Sequence, residues 1–276
     1  MKKIWKKIRR VLKKIYDFIN YFLIKAKMFL KYRTFDFFND LDIEVNTACN
    51  RRCSYCPNSQ FERGLMKNNI EMKEGLYKKI IDELAEINFT GRISPIFYGE
   101  PLLRKDLAEL MKYTHKKLPR ATIKMTTNGD LLSVEKYLEL VEAGVKKFLI
   151  TEHGKGKSPA IKKLFKFLEK NPEKKVKIIY SKFEGDTPLY NRGGLVNPEE
   201  TDYSPRCLKP HNPLVVDAEG NVIICCNDYF SSVKFGNLNK EKLVDVWNKP
   251  AFKKIRKEIR QGNFKLDICK KCVGED

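Results

Sequence analysis

The residues best suited to chemistry are cysteines, and they fall into two groups. Cys49, Cys53 and Cys56 are spaced C-x3-C-x2-C, with Tyr55 directly before the last thiol. Iron–sulfur cubanes are normally held by four thiolates, so a loop offering three leaves the fourth iron open to a small molecule. Zinc is the competing reading, because C-x2-C also serves zinc sites; such a site needs a fourth Cys or His, and none lies between Cys56 and His115. The second group is Cys207, Cys225, Cys226, Cys269 and Cys272, ending in another C-x2-C. Close Cys pairs with no recognisable cleavable signal point to metal or redox chemistry in a reducing compartment rather than to disulfides.

The elements that must position these thiols follow from hydrophobic period. Strands are expected at 41–46, 92–98, 121–127, 145–151 and 175–180, with a less regular sixth at 188–196. Helices are expected between them at 72–88, 103–118, 133–143 and 158–170. Such βα alternation builds a parallel sheet, open or closed. In closed sheets of this kind, catalytic groups sit just after the strands. The first cysteine loop follows the first strand. Tyr98-Gly99-Glu100-Pro101 follows the second, Thr126-Thr127-Asn128-Gly129 the third, and Thr151-Glu152-His153-Gly154 the fourth. Gly99 lets backbone come close to a ligand and Glu100 can accept from an ammonium group. Arg192, in Asn191-Arg192-Gly193-Gly194, can clamp a carboxylate by paired hydrogen bonds.

The cysteine loop with its aromatic Tyr55 resembles the radical S-adenosylmethionine (radical SAM) superfamily. Membership implies a partial (βα)6 TIM-like barrel and a [4Fe–4S] cluster whose open iron binds SAM. It implies reductive cleavage of SAM to a 5′-deoxyadenosyl radical, which takes a hydrogen atom from substrate, and an electron donor such as flavodoxin or ferredoxin. Gly99-Glu100-Pro101 resembles the family's Gly-Gly-Glu-type motif, with Tyr98 where the first Gly would stand; Gly99, Glu100 and Pro101 are then SAM-side residues. Thr126 and Asn128 match a Thr-Asn-Gly near the SAM ribose and methionine, and Arg192 is a candidate for its carboxylate.

Cys207, Gly220-x4-Cys225, Phe235-Gly236-Asn237-Leu238, Trp247-Asn248 and the last C-x2-C resemble the SPASM/twitch extension of that family. A full SPASM domain carries more cysteines, so the short form with one auxiliary [4Fe–4S] cluster is expected, on Cys207, Cys225, Cys269 and Cys272. A β-hairpin around Asp217-Ala218-Glu219-Gly220 and a following helical region complete this C-terminal domain. The hairpin strands are expected at Leu214–Val216 and Asn221–Cys226, so Cys225 and Cys226 are strand neighbours that point to opposite faces. Cys226 is then a spare thiol, able to donate a hydrogen atom in an epimerisation.

The organisation expected is a basic amphipathic segment at 1–38, a core barrel at 39–200 and the auxiliary-cluster domain at 201–276. Lys+Arg of 55 against Asp+Glu of 35 gives a net charge of +20, which calls for an anionic partner. Lys2, Lys3, Lys6, Lys7, Arg9, Arg10, Lys13 and Lys14 crowd the first segment, while Ile4, Ile8, Val11, Leu12, Ile15, Ile19 and Phe22 keep helical spacing. Trp5, Tyr16 and Tyr21 suit a lipid interface. Residues 1–35 therefore read as a helix for an anionic membrane surface at the cytoplasmic face, against a helix packed on the barrel. No base-reading pattern is present, so nucleic acid is not expected. The substrate expected is a small molecule, with a sugar, glycan or lipid-linked intermediate ahead of a ribosomal peptide. Outside enzymes, a zinc-binding, membrane-associated protein is the alternative.

Overall fold

The computed structural model describes residues 19, 22–23, 26, 29–30, 36–154, 156–183, 191–196 and 207–274. Lys2 to Lys14, Trp5, Tyr16 and Tyr21 lie outside them. The described residues Ile19, Phe22, Leu23, Ala26, Phe29 and Leu30 are helical and exposed, in a unit, Met1–Asn39, separate from Asp40–Asp276.

The first five strands alternate with four helices. They are β1 (Asp40–Ile43), α1 (Glu74–Glu86), β2 (Arg92–Pro95), α2 (Leu107–Lys117), β3 (Thr122–Thr127), α3 (Val134–Glu142), β4 (Val145–Glu152), α4 (Pro159–Lys170) and β5 (Lys177–Lys182). Ser133 and Ser158 cap α3 and α4 by accepting from Lys136 N and Ile161 N, satisfying donors that a helix start leaves open. Tyr77 of α1 and Thr114 of α2 share a buried hydrogen bond of 2.7 Å between neighbouring helices. Along β3 burial alternates, with Ile123, Met125 and Thr127 packed toward the helices and Lys124 and Thr126 on the opposite, half-buried face. On that face Arg92 of β2 pairs with Asp40 and Asp42 across β1, which polarises one side of the sheet.

The sheet continues through β6 (Leu214–Val216), β7 (Asn221–Ile223) and β8 (Lys234–Asn237), followed by α5 (Leu243–Asn248), α6 (Pro250–Arg260) and α7 (Asp267–Val273). Its order is β5-β4-β3-β2-β1-β6-β7-β8, with β1 to β6 parallel and β7 and β8 antiparallel. The class is the expected partial-barrel α/β fold, with two differences in detail. The sixth parallel strand is Leu214–Val216, lying beside β1, and not 188–196. Residues 188–190 of that span lie outside the described residues, and 191–196 form turns, with Arg192, Gly193 and Gly194 all at positive φ. The C-terminal hairpin turns at Asp217–Gly220 as expected, yet it extends the same sheet because β6 pairs with β1. Among the described residues no helix is long and apolar enough to cross a membrane.

Candidate active site

The loop after β1 is held by its own hydrogen bonds, such as Cys56 N–H to Cys53 O at 2.9 Å, and by its neighbours. Cys49 N–H donates to Gly64 O at 3.0 Å, and Ala48 N–H to Asn69 Oδ1 at 2.9 Å. Arg51 makes a paired contact with Asp130, both distances 2.6 Å, and donates to His153 O at 3.0 Å. One guanidinium thus ties the cysteine loop to the ends of β3 and β4. Tyr55 stacks on Phe183 with centroids 3.8 Å apart and hydrogen-bonds His153. Burial pushes the Cys49 thiol up to about 11 and raises Cys56 as well, while Arg192 works the other way on Cys56. Neutral thiols of this kind give up their protons when a metal binds.

Gly99 sits where only glycine fits: a Cβ there would lie 2.0 Å from Asn46 O. That contact lets Glu100 N–H reach Ala48 O at 2.8 Å. The Glu100 carboxylate, 3% exposed, accepts from Leu102 N, Thr127 Oγ1 and Asn128 N at 3.1, 2.7 and 2.9 Å. Burial, the largest influence, moves it up to about 7 against those donors. Pro101 opens the short 3-10 turn that Glu100 caps. Asn128 donates to Asn50 Oδ1 at 2.9 Å and so ties the third loop to the cysteine loop. Thr126 points to the other side of β3 and its buried hydroxyl has no hydrogen-bond partner among the described residues.

Tyr98 extends from this loop toward the second thiol set. Asn58, two residues past Cys56, donates to Tyr98 O and accepts from Tyr229 O–H, each at 2.9 Å. The Tyr98 hydroxyl is buried and has no hydrogen-bond partner among the described residues. Its proton is held well above the usual phenol range, first by burial; Arg192 works against this, and Cys226, Cys56 and Cys225 add to it. The Arg192 guanidinium lies 5.9 Å from the Tyr98 ring centre. Tyr98 and Arg192 therefore stand between the two cysteine sets.

In the second set, Cys269 and Cys272 share a face of α7 by their i, i+3 spacing. Cys207 lies just before the short 3-10 turn Lys209–His211 that leads into β6, within electrostatic reach of Cys272 and Cys226, as Cys269 is of Cys207 and Cys272. Burial raises Cys269 to about 12. Cys225 and Cys226 follow β7 in a turn and not within the strand, so strand alternation does not separate them. Cys226 Sγ instead receives Lys209 Nζ at 3.6 Å.

The donor chemistry fits iron–sulfur clusters. Thiols in each set act on one another electrostatically, yet among the described residues no three Cys, His, Asp or Glu groups converge as a single metal ion requires. The Thr126 hydroxyl, near the end of β3 before the third loop, offers a contact for a polar ligand. Sequence reading brought out the thiols, Gly99, Glu100 and Arg192. It missed Arg51–Asp130, Thr127, Asn58 and Asn227, whose partners lie far away in the chain. The one local signal was an arginine inside a metal-like loop.

Residues 43–179 match the family model of the radical SAM superfamily, and residues 207–273 match that of SPASM, an iron–sulfur cluster-binding domain. The chain belongs to the radical SAM superfamily and is a radical SAM enzyme with a C-terminal SPASM-type region. Its cofactors are SAM, a [4Fe–4S] cluster with an open iron and auxiliary iron–sulfur ligation. An S-adenosyl-L-methionine-dependent 2-deoxy-scyllo-inosamine dehydrogenase of Niallia circulans is 36% identical over 238 residues, covering 85% of this chain and 92% of that protein. The crystal structure of BtrN in complex with AdoMet and 2-DOIA superimposes with a TM-score of 0.74 at 35% identity, covering 85% of this chain and 92% of that one. Native anSMEcpe with bound AdoMet shares the fold, with a TM-score of 0.56 at 14% identity over 82% of this chain and 84% of that one.

Proposed function

We propose that this enzyme is a dehydrogenase acting on a carbon that bears a hydroxyl or amino group, in a small ring substrate of the amino-cyclitol or sugar class. The observation that carries this reading is the pair Tyr98 and Arg192, a buried phenol with no hydrogen-bond partner among the described residues and a guanidinium, set between the two thiol groups. A hydroxyl-rich substrate supplies a partner for the Tyr98 hydroxyl. A relative named as a dehydrogenase, alike over nearly its whole length, supports the same reaction type.

In this reading Cys49, Cys53 and Cys56 hold the cluster that takes SAM, and Cys207, Cys225, Cys269 and Cys272 hold the auxiliary one. Thr126 offers its hydroxyl to SAM, and Gly99 keeps the loop close. Glu100, Pro101 and Asn128 fix the loops that wall the cofactor, and Tyr55 closes one side against Phe183. When bound, SAM and the reduced first cluster supply a 5′-deoxyadenosyl radical that removes a hydrogen atom from substrate. The substrate radical must then lose one proton, from its hydroxyl or amino group to solvent, and one electron to become a carbonyl or imine. Four thiolates leave no open iron in the second set, which suits it to accept that electron.

The test is an anaerobic assay with SAM, a low-potential reductant and a panel of amino-cyclitols and sugars. A matched rise of 5′-deoxyadenosine and of a carbonyl product supports the reading; 5′-deoxyadenosine without an oxidised product counts against it. Epimerisation needs a hydrogen donor, and Cys226 is the thiol for it. In heavy water, deuterium in an epimeric product that disappears in C226A would replace oxidation with epimerisation.

A second reading concerns where the enzyme works. Ile19, Phe22, Leu23 and Leu30 are helical, exposed and spaced i, i+3, i+4, i+11, in a stretch flanked by Lys13, Lys14, Lys25, Lys27, Lys31 and Arg33. Apolar side chains on a helix within a basic stretch suit the headgroup layer of an anionic membrane, which supports a peripheral position at the cytoplasmic face. Co-sedimentation with phosphatidylserine vesicles that is lost in F22E/L23E supports this; equal recovery of the two proteins in the pellet contradicts it.

A further inference from the structure

We propose that Asn227 sets the reduction potential of the auxiliary cluster, and that Arg192 holds Asn227 in the orientation that does so. The proposal rests on the reading above that Cys225 and Cys272 are ligands of that cluster. Asn227 is 1% exposed and donates twice to sulfur. Its backbone N–H reaches Cys225 Sγ at 3.4 Å and its side-chain Nδ2 reaches Cys272 Sγ at 3.3 Å. The two sulfurs come from different elements, the turn after β7 and helix α7, so one residue spans half of the second ligand set.

The orientation of the amide is fixed by chemistry. Arg192 Nη1 lies 3.5 Å from Asn227 Oδ1, and a guanidinium can only donate. The amide oxygen must therefore face Arg192, which leaves the NH2 group facing Cys272. Arg192 is in turn delivered by its own segment. Asn191 Nδ2 donates to Lys271 O at 2.7 Å, and Gly193, at φ 69°, packs so closely that a Cβ would lie 2.7 Å from Ile268 Cγ1. Asn191-Arg192-Gly193-Gly194 is thus a mount on α7, the helix that carries Cys269 and Cys272.

A hydrogen bond to a ligand sulfur stabilises the extra negative charge of a reduced cluster and raises its potential. An electron-accepting role needs a raised potential, which makes Asn227 a positioning residue for the proposed oxidation. It acts through the ligands and does not touch substrate.

The experiment is an EPR-monitored redox titration of the anaerobic, iron-loaded full chain, with N227L, N227S and N227D beside the wild type. Iron is counted first. About eight irons per chain are expected for two cubanes; about four, with a single EPR species, would sink the second-cluster reading before any variant is compared. With about eight present, the expected order of midpoint potential for the second cluster is wild type, then N227L and N227S, then N227D. At the wild-type midpoint, N227L should raise the oxidised-to-reduced ratio about fivefold, the factor one hydrogen bond of ordinary net strength carries. The first cluster's midpoint should not move. R192M should shift the second cluster in the same direction by less. An unchanged midpoint in N227L and N227S overturns the proposal. Loss of the second cluster's iron from both also overturns it, since Asn227 would then serve assembly alone.

Discussion

Glu100 shows how much a single buried carboxyl decides in this site. It holds two backbone donors and one hydroxyl, and desolvation still lifts it from an ordinary 4.5 to about 7. A carboxyl with a raised folded value is one that folding prefers protonated. Its contribution to stability is therefore fully present at acid pH and declines as pH rises from about 4.5 to about 7. The melting temperature of the SAM-free, anaerobic holoprotein should fall across that window by more in the wild type than in E100Q. Parallel melting curves against pH for the two proteins would show that Glu100 does not titrate there. The same residue marks the limit of sequence reading. Glu100 and the Thr-Thr-Asn-Gly stretch were legible as neighbours of the site, but Thr127, not Thr126, takes the Glu100 carboxylate. Adjacent strand residues face opposite sides, and nothing in the string says which side of β3 is packed.

The loops are registered to one another by buried charge as much as by strand pairing. Arg63 grips Glu44 through two hydrogen bonds of 2.8 and 2.6 Å, and Glu44 also accepts from Ala218 N at 3.1 Å. The end of β1, the segment after the cysteine loop and the β6–β7 turn thus meet at one carboxylate. Burial raises Glu44, and the Arg63 hydrogen bonds are what oppose it. Removing the cation alone leaves a buried carboxylate without its partner. R63M should destabilise the fold by about 3–5 kcal/mol, read as a lowered denaturant midpoint; a midpoint within about 0.5 kcal/mol of wild type, the usual range for a surface change, would contradict that role. Strands β1 to β5 and their helices were legible because hydrophobic period is a local property. The sixth parallel strand was not. Leu214–Val216 read as half of a hairpin, and its other partner, β1, lies far back in the chain with no trace in local spacing. The Gly193-Gly194 pair, read as part of an irregular strand, makes a left-handed turn that mounts Arg192 on α7.

At the scale of the whole molecule, one sheet carries both thiol sets. Its parallel half presents the first loop and its antiparallel end brings Cys225 toward α7, with Tyr98 and Arg192 between. G99A tests whether that arrangement depends on close approach of the two loops. A methyl group 2.0 Å from Asn46 O cannot be accommodated without moving β1 and β2 loops apart. The variant should lose SAM binding, measured by anaerobic equilibrium dialysis, while keeping its iron; unchanged SAM binding would show that the approach is not needed. Cys49, Cys53 and Cys56, as proposed ligands of the first cluster, leave one iron open for SAM. The most direct test is the EPR spectrum of the dithionite-reduced, oxygen-protected protein before and after SAM is added. A change in the signal of the first cluster, absent when Cys49, Cys53 and Cys56 are replaced by Ala, is the predicted result. A first-cluster spectrum that stays the same at saturating SAM would contradict it.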